Sequence, residues 1–374
     1  MSVYDELIGQ AHIVQILQSA VNAAASGEES QEMTHAWIFT GPPGSGRSSA
    51  AIAFAQALVC KKQGCGECSD CATAKNGSHP DVEIMHSEGL SIKVEEIREL
   101  LTRTSWAPAV GGWRVVVMED ADRLTESAAN ALLKAIEEPG LRTVWLLCAP
   151  TLHDILPTIR SRCRHIQLHT PGNSEVAKFL IERHQIAPKM ADFAARVSQG
   201  HIGRARHLAT NEEVRNRRQA ILAIPSQLTS IASAYKQAQK LVDLANAESA
   251  AITEALDEKE YEELSTALGK GSGKALKELE KEQKSRATRI IRDTLDGALL
   301  DLATYYRDIL LVQSGHDDSL INAELSDQIN KVAEQSKPQN ILIKMDAIMK
   351  ARENLQRNGA PLLVMEALMC ELTK

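Results

Sequence analysis

The sequence predicts an α/β domain built on a mostly parallel, doubly wound sheet, followed by an all-α region. Three observations predict this architecture. Through residues 1–170, short apolar runs rich in β-branched residues alternate with stretches that carry apolar residues at helical spacing, the pattern of βαβ units. After residue 170 the strand-like runs stop, and the helical spacing continues to the end of the chain. The length of 374 residues exceeds what one ordinary core accommodates, so we expect two or three domains.

Five segments of the first domain have the character of strands. They are 35–41, 82–85, 114–120, 143–149 and 165–169. Between them the apolar spacing predicts helices from residue 47 onward, over 94–104 and over 124–140. In the last of these, Thr125 can cap the first turn and Pro139-Gly140 can end the helix.

The later part of the chain predicts two helical regions. We expect a small helical unit over 171–212 and a larger helical domain over 213–374. Within the larger one, 256–286 has two charged helical halves around Gly269–Gly273. This pattern is typical of two solvated helices joined by a flexible turn. A regulatory or partner-docking role for the segment is the alternative.

Charge and hydropathy exclude some classes of protein. The formal net charge of −7 argues against a protein that grips DNA by itself through phosphates, so any nucleic-acid contact should be local or shared with partners. No apolar run approaches the length of a membrane span. The first residues, MSVYDELIGQ, lack the basic and apolar regions of a signal peptide. We therefore expect a cytoplasmic protein with no membrane partner.

The stretch GPPGSGRS has the spacing of a phosphate-binding loop between a strand and a helix. Its members are Gly41, Pro42, Pro43, Gly44, Ser45, Gly46, Arg47 and Ser48. Backbone N–H groups in such a loop hold phosphate oxygens, and Ser48 stands where a hydroxyl binds Mg²⁺. Arg47 replaces the usual lysine; it keeps the charge but is bulkier and forked, and it fits a tight loop poorly. The pattern predicts either a site for ATP and Mg²⁺ or a glycine-rich turn without a ligand.

Two acids, Glu119 and Asp120, follow the third predicted strand. An active ATPase of this type places an aspartate there for Mg²⁺ and often a glutamate after it to orient the attacking water. Here the order is reversed, which makes the first acid one methylene too long and the second one too short. Because positioning dominates phosphoryl transfer, we expect hydrolysis at this site to be weak or absent. Two exposed acids without a role are the alternative.

Four of the seven cysteines lie within twelve residues, at Cys60, Cys65, Cys68 and Cys71. The spacing, with glycines that permit tight turns, predicts a closed tetrahedral site for a structural zinc ion. An iron–sulfur site is the runner-up, and free surface thiols are the third possibility. The remaining cysteines are scattered, so the pattern does not indicate a disulfide framework.

Six segments of residues 5–170 carry a resemblance to a known family. They are DELIGQAHIVQIL, HAWIFTGPPGSGRSSAA, the four cysteines, HPDV, ESAANALLKAIEEPG and LPTIRSRCRHIQL. Through them, and through RENLQRNGAPLLVMEALMCEL near the end, the chain resembles the clamp-loader ATPases of bacterial DNA polymerase III, within the AAA+ superfamily. The resemblance implies a RecA-like domain over 1–170 with a zinc-binding insert at 60–71, a lid over 171–212 and an oligomerising collar over 213–374.

Within that family the chain is most similar to the delta-prime members. Motor subunits carry an intact lysine loop, an Asp-Glu pair and a sensor threonine, where this chain has Arg47, Glu119-Asp120 and Cys148-Ala149-Pro150. A second sensor arginine is expected near GHIGRAR, but the closest register gives Gly203, with Arg204 one step off. The resemblance therefore implies a degenerate ATP site.

The tripeptide Ser161-Arg162-Cys163 is the part of the resemblance that bears on mechanism. In this family the arginine projects into the nucleotide site of a neighbouring subunit, where a guanidinium stabilises charge on the γ-phosphate. A surface arginine within a local basic cluster is the alternative.

The resemblance also implies partners. They are gamma/tau-like motor subunits and a delta-like subunit in a hetero-pentamer that loads the sliding clamp onto primed DNA within the polymerase III holoenzyme. Two other functions are compatible with the sequence: an active motor subunit of the same complex, and a scaffold that binds no nucleotide.

Overall fold

The computed structural model describes residues 2–26, 32–86, 91–104, 106–110, 112–268, 273–316 and 319–374. They fall into two compact units, Met1–Thr210 and Asn211–Lys374. No helix among these residues has both the length and the apolar character that crossing a membrane requires.

A five-stranded parallel sheet forms the centre of the first unit, with strand order β2-β3-β4-β1-β5. The strands are β1 (Ala36–Thr40), β2 (Val82–Met85), β3 (Arg114–Met118), β4 (Thr143–Ala149) and β5 (Arg164–Gln167). All five predicted strands are confirmed, with small shifts at their ends. β3 ends before Glu119 because the chain turns there into a short 3-10 helix, Ala121–Arg123.

Helices cover both faces of this sheet. They are α1 (Ala11–Ser26), α2 (Arg47–Val59), α3 (Ser69–Lys75), α4 (Val94–Thr104), α5 (Glu126–Glu137) and α6 (Pro157–Arg160). Successive residues of β1 point to opposite faces: Trp37 packs in a core with Phe54 of α2, and Ile38 packs in a second core with Leu132 of α5. The predicted cap of α5 is confirmed, since the Thr125 hydroxyl accepts a hydrogen bond from the backbone N–H of Ala128. The doubly wound α/β fold class is therefore confirmed.

Three further helices complete the first unit. They are α7 (Asn173–His184), α8 (Pro188–Ser198) and α9 (Ile202–Thr210). Gly200 joins α8 to α9 at a φ of +84°, and a Cβ there would meet the Thr170 side chain and the Pro171 carbonyl. Only glycine fits this turn, which holds the start of α9 against the end of the sheet domain. The boundary at 170/171 stays a prediction.

The second unit is helical throughout its described residues. Its helices are α10 (Glu212–Leu222), α11 (Ile224–Gln227), α12 (Ile231–Leu268), α13 (Gly273–Gln313), α14 (Ser326–Gln335), α15 (Pro338–Gln356) and α16 (Pro361–Thr373). α12, α13, α15 and α16 share one apolar core, in which Ile309, Ile348 and Met365 are fully buried.

The charged segment 256–286 belongs to α12 and α13, which pack against each other. Arg286 of α13 forms an ion pair with Glu260 of α12, with Nη2 2.8 Å from Oε2. Gln283 donates a hydrogen bond from Nε2 to the Asp257 carbonyl at 3.0 Å. Polar contacts therefore join the two predicted helices, and residues 269–272 of the predicted turn lie outside the described residues.

Candidate functional site

The predicted phosphate loop connects the end of β1 to the start of α2. Gly44 and Gly46 have φ values of +86° and +87°, a region that favours glycine. Gly46 is the N-cap of α2 and makes no side-chain cap hydrogen bond. The buried Ser45 hydroxyl has no hydrogen-bond partner within the part of the chain that the structure describes. An uncapped helix N-terminus beside an unpartnered hydroxyl can accept an anion.

Arg47 folds back onto this loop. Its Nη1 donates a hydrogen bond to the carbonyl oxygen of Gly41 at 2.7 Å, and the side chain is half-buried. The cation that would contact a phosphate thus bonds to the loop itself. A phosphate would have to share the guanidinium with the Gly41 carbonyl or take the place of that carbonyl.

A cavity of about 380 Å³ lies beside the loop. The loop, the N-terminal residues 6–8 and the helices α7 and α9 form its walls. His201 packs directly over Gly44, where a Cβ would come within 2.6 Å of it. Burial lowers the pKa of His201, and the nearby Arg204 adds to this effect. The resemblance did not assign a residue of α9 to the second sensor arginine. Of the residues in α9, Gly203 and Arg206 line the cavity.

The two acids after β3 lie in different surroundings. Glu119 pairs with His86, with Oε2 2.9 Å from Nδ1. Asp120 leads into the 3-10 helix that contains Asp122. Burial raises the pKa of Asp122, and the charge of Asp120 raises it further. At the end of β4, Cys148 is fully buried, and burial raises its pKa, so this residue is a neutral thiol.

Arg162 lies at the opposite edge of the sheet from the phosphate loop. Arg162 precedes β5, which begins at Arg164. Arg164 pairs with Trp37 near the beginning of β1, whereas the phosphate loop follows the end of β1. At about 3.3 Å per residue, the five residues of β1 separate the two edges by roughly 16 Å. Arg162 is half-exposed and pairs with Glu137, with Nη2 2.6 Å from Oε1.

The four clustered cysteines come together as the sequence predicts. Their sulfur atoms all lie within 4.8 Å of one another, and Cys60 Sγ is 3.7 Å from Cys65 Sγ and 3.6 Å from Cys68 Sγ. Backbone N–H groups of Lys62 and Cys71 point at two of the sulfurs. Hydrogen bonds from the Glu67 and Cys68 backbone lower the pKa of Cys65 to about 6. The cluster could hold a metal ion such as zinc.

Comparisons with known proteins relate the chain to subunits of bacterial DNA polymerase III. A family described as "DNA polymerase III, delta subunit" matches residues 10–172. DNA polymerase III subunit delta' (delta-prime) of Bacillus subtilis is 27% identical over 350 residues, which is 92% of each chain. The delta' subunit of Pseudomonas aeruginosa is 36% identical over 152 residues, covering 39% of this chain and 46% of that one. The chain is therefore similar to clamp-loader subunits of bacterial DNA polymerase III.

The chain is also similar to proteins named subunit tau or gamma/tau. Subunit tau of Bacillus subtilis is 26% identical over 385 residues, covering 99% of this chain and 61% of tau. The chain thus spans less than two thirds of tau and about half of the Pseudomonas chain. The family match ends at residue 172, close to the last strand of the sheet.

Sequence reasoning missed several neighbours of the predicted site residues. The partners His86 and Glu137 come from distant segments, and only the folded chain brings them to Glu119 and Arg162. Arg206 could have been found, since it lies four residues after Ile202 and therefore on the same face of α9. Each predicted loop residue lies between β1 and the first turn of α2, as expected.

Proposed function

We propose that this chain acts as a delta-prime-like subunit of a clamp loader. Its own ATP site is degenerate, and Arg162 serves as an arginine finger in the site of a neighbouring motor subunit. One observation carries this proposal: Arg162 and the chain's own phosphate loop lie at opposite edges of one sheet. A guanidinium about 16 Å from its own loop can reach a bound γ-phosphate only if the nucleotide belongs to another subunit.

The side chains around the loop support weak or absent hydrolysis. Arg47 donates to the Gly41 carbonyl, Glu119 pairs with His86, and Cys148 offers no hydroxyl. Phosphoryl transfer depends on the positions of a cation, a Mg²⁺ ligand and a water-orienting group. The uncapped start of α2 and the cavity still suit an anion, so ATP with Mg²⁺ could bind, held by the loop from Gly41 to Ser48.

The proposed partners follow from the family. Motor subunits of the gamma/tau type and a delta-like subunit would complete a hetero-pentamer, with the second unit of this chain as the collar. That complex would load the sliding clamp onto primed DNA as part of the polymerase III holoenzyme. Similarity to chains named delta' and tau supports this assignment.

We assign a structural zinc ion to the four cysteines. At a Zn–S distance of about 2.3 Å, the sulfurs of a tetrahedral site stand roughly 3.8 Å apart. The Cys60 distances of 3.7 and 3.6 Å fit such a site. With four protein sulfurs the ion would keep no open position for a substrate, so its role would be to hold residues 60–71 together.

The finger is tested in a complex reconstituted from all subunits. Arg162→Ala should leave the chain folded and silence the one site that it completes, because such a finger is worth ~10³–10⁵ in rate. DNA-stimulated ATP hydrolysis should therefore fall by the fraction of the total rate that this one site contributes. Arg160→Ala, two residues away, is the matched control. Full activity of the Arg162 variant would rule the finger out.

The similarity to tau favours one other function, that of an active motor subunit. Labelled ATP titrated into the purified chain, with phosphate release followed in parallel, separates the possibilities. Turnover supports a motor, binding without turnover supports a degenerate subunit, and no binding supports a scaffold free of nucleotide.

A further inference from the structure

The resting contacts of Arg162 are specific. Nη1 donates hydrogen bonds to the Thr158 carbonyl at 2.9 Å and to the Ser161 hydroxyl at 3.1 Å. Nη2 faces the carboxylate of Glu137 at 2.6 Å. Glu137 is the last residue of α5, and the buried residues Leu132 and Ile136 of that helix pack against the sheet. The side chains of Arg162 and Glu137 are 40% and 45% exposed, which leaves the pair open to a partner.

We propose that Glu137 is a positioning residue: it is the resting counter-ion of the arginine finger and yields the guanidinium to the neighbour's nucleotide. This inference rests on the proposed function of Arg162. Carboxylate and phosphate oxygens compete for the same donors on a guanidinium, and both prefer charge-assisted bonds. Engagement of the neighbour's γ-phosphate therefore requires Nη2 to leave Glu137.

The exchange is easy because the ion pair is weak. A half-exposed pair contributes at most about 1 kcal/mol, since water screens it and both side chains lose freedom. A nucleotide phosphate with several negative charges can displace such a carboxylate. The same weakness sets the size of the effect: release from Glu137 should cost the complex no more than roughly fivefold in apparent affinity for ATP.

The test uses Glu137→Gln, which keeps the shape of the side chain and removes its charge. In the reconstituted complex, the one site that Arg162 completes should reach half-maximal DNA-stimulated hydrolysis at roughly two- to fivefold less ATP. The half-maximal ATP concentration of the whole complex should therefore fall, with little change in the maximal rate. Glu138→Gln is the matched control, because it removes the same charge from the adjacent exposed residue and should leave both parameters unchanged. Glu137→Asp keeps the charge and should stay closer to the wild type.

A double variant distinguishes this role from a general effect on the fold. If Glu137 acts through the finger, adding Glu137→Gln to Arg162→Ala should change nothing further. Equal behaviour of the Glu137 and Glu138 variants, or a rise in the half-maximal ATP concentration with Glu137→Gln, would overturn the counter-ion. If either of these results is found and Arg162→Ala still loses activity, the counter-ion role is wrong but the arginine finger is supported. If Arg162→Ala keeps full activity, the proposed function itself is wrong.

Discussion

The helical unit of this chain contains a buried ion pair whose removal should be measurable. Arg218 of α10 is almost fully buried, and its Nε lies 3.1 Å from Oδ1 of Asp301 in α13. Nη1 lies 2.9 Å from Oε1 of Glu324, and Nη2 bonds to the side chain of Asn322. One guanidinium thus links α10 and the segment after α13 to α13 itself. Arg218→Met removes the charge and the donors while keeping an apolar chain of similar length.

The cost follows from what the substitution leaves behind. Asp301, whose side chain is 8% exposed, would stay buried without the Arg218 guanidinium, and breaking a buried pair in this way costs ~3–5 kcal/mol. Glu324 is 36% exposed and adds little. With a urea m value of about 2 kcal/mol per M, the midpoint of the helical unit should fall by about 2 M. Arg357→Met is the control, because Arg357 and Glu353 form an exposed pair worth at most about 1 kcal/mol.

Far-ultraviolet circular dichroism in urea measures the effect. All four tryptophans lie in the first unit, so their fluorescence follows that unit separately. The dichroism transition should move to lower urea in Arg218→Met. A midpoint within about 0.5 M of the Arg357→Met control would refute the reasoning, because it would mean that the buried carboxylate loses nothing when its cation is removed.

Two other expectations concern the first unit. Cys65→Ser should abolish stoichiometric zinc binding and raise hydrogen exchange across 60–75, whereas Cys370→Ser should do neither; a wild-type protein without metal by elemental analysis would contradict the site. Because burial lowers the pKa of His201 from its ordinary 6.5, the stability that the neutral imidazole contributes is complete above that value and is lost as the pH falls through the lowered one. Hydrogen exchange of the loop at Gly44, corrected for its intrinsic pH dependence, should therefore rise as the pH falls below about 6.5, and His201→Phe should remove the rise.

The sequence was sufficient to predict the elements of the fold because local signals and packing agree. β1 and β4 are apolar except for Thr40 and Thr143, and they are buried along their whole length, as is typical of central strands of a parallel sheet. Strand ends were less accurate: Glu119 and Asp120 continue the run of β3 in the sequence, but the chain turns at that point. The strand order could not be read from spacing, since it depends on which faces the helices cover.

The sequence was sufficient to predict the motifs of the site, but not the contacts that their side chains make. The spacing of the four cysteines was sufficient to predict their cluster, because the four residues are close together in the sequence. The bond between Arg47 and Gly41 depends on the path of the loop, and the pair of Arg162 and Glu137 joins segments 25 positions apart. Propensity and periodicity carry no information on such pairs, whereas burial and topology determine them.

The cysteine cluster also contacts the N-terminal turn of the chain. The backbone N–H of Val3 donates to the carbonyl of Gly64 inside the cluster, and a Cβ on Gly64 would collide with the Val3 side chain. Lys75, just beyond the cluster, pairs with Glu6, a residue that lines the cavity beside the loop. Asp5 in turn pairs with Arg183 of α7. The cluster therefore anchors the N-terminal turn, and that turn connects the sheet domain to α7 through the pair of Asp5 and Arg183.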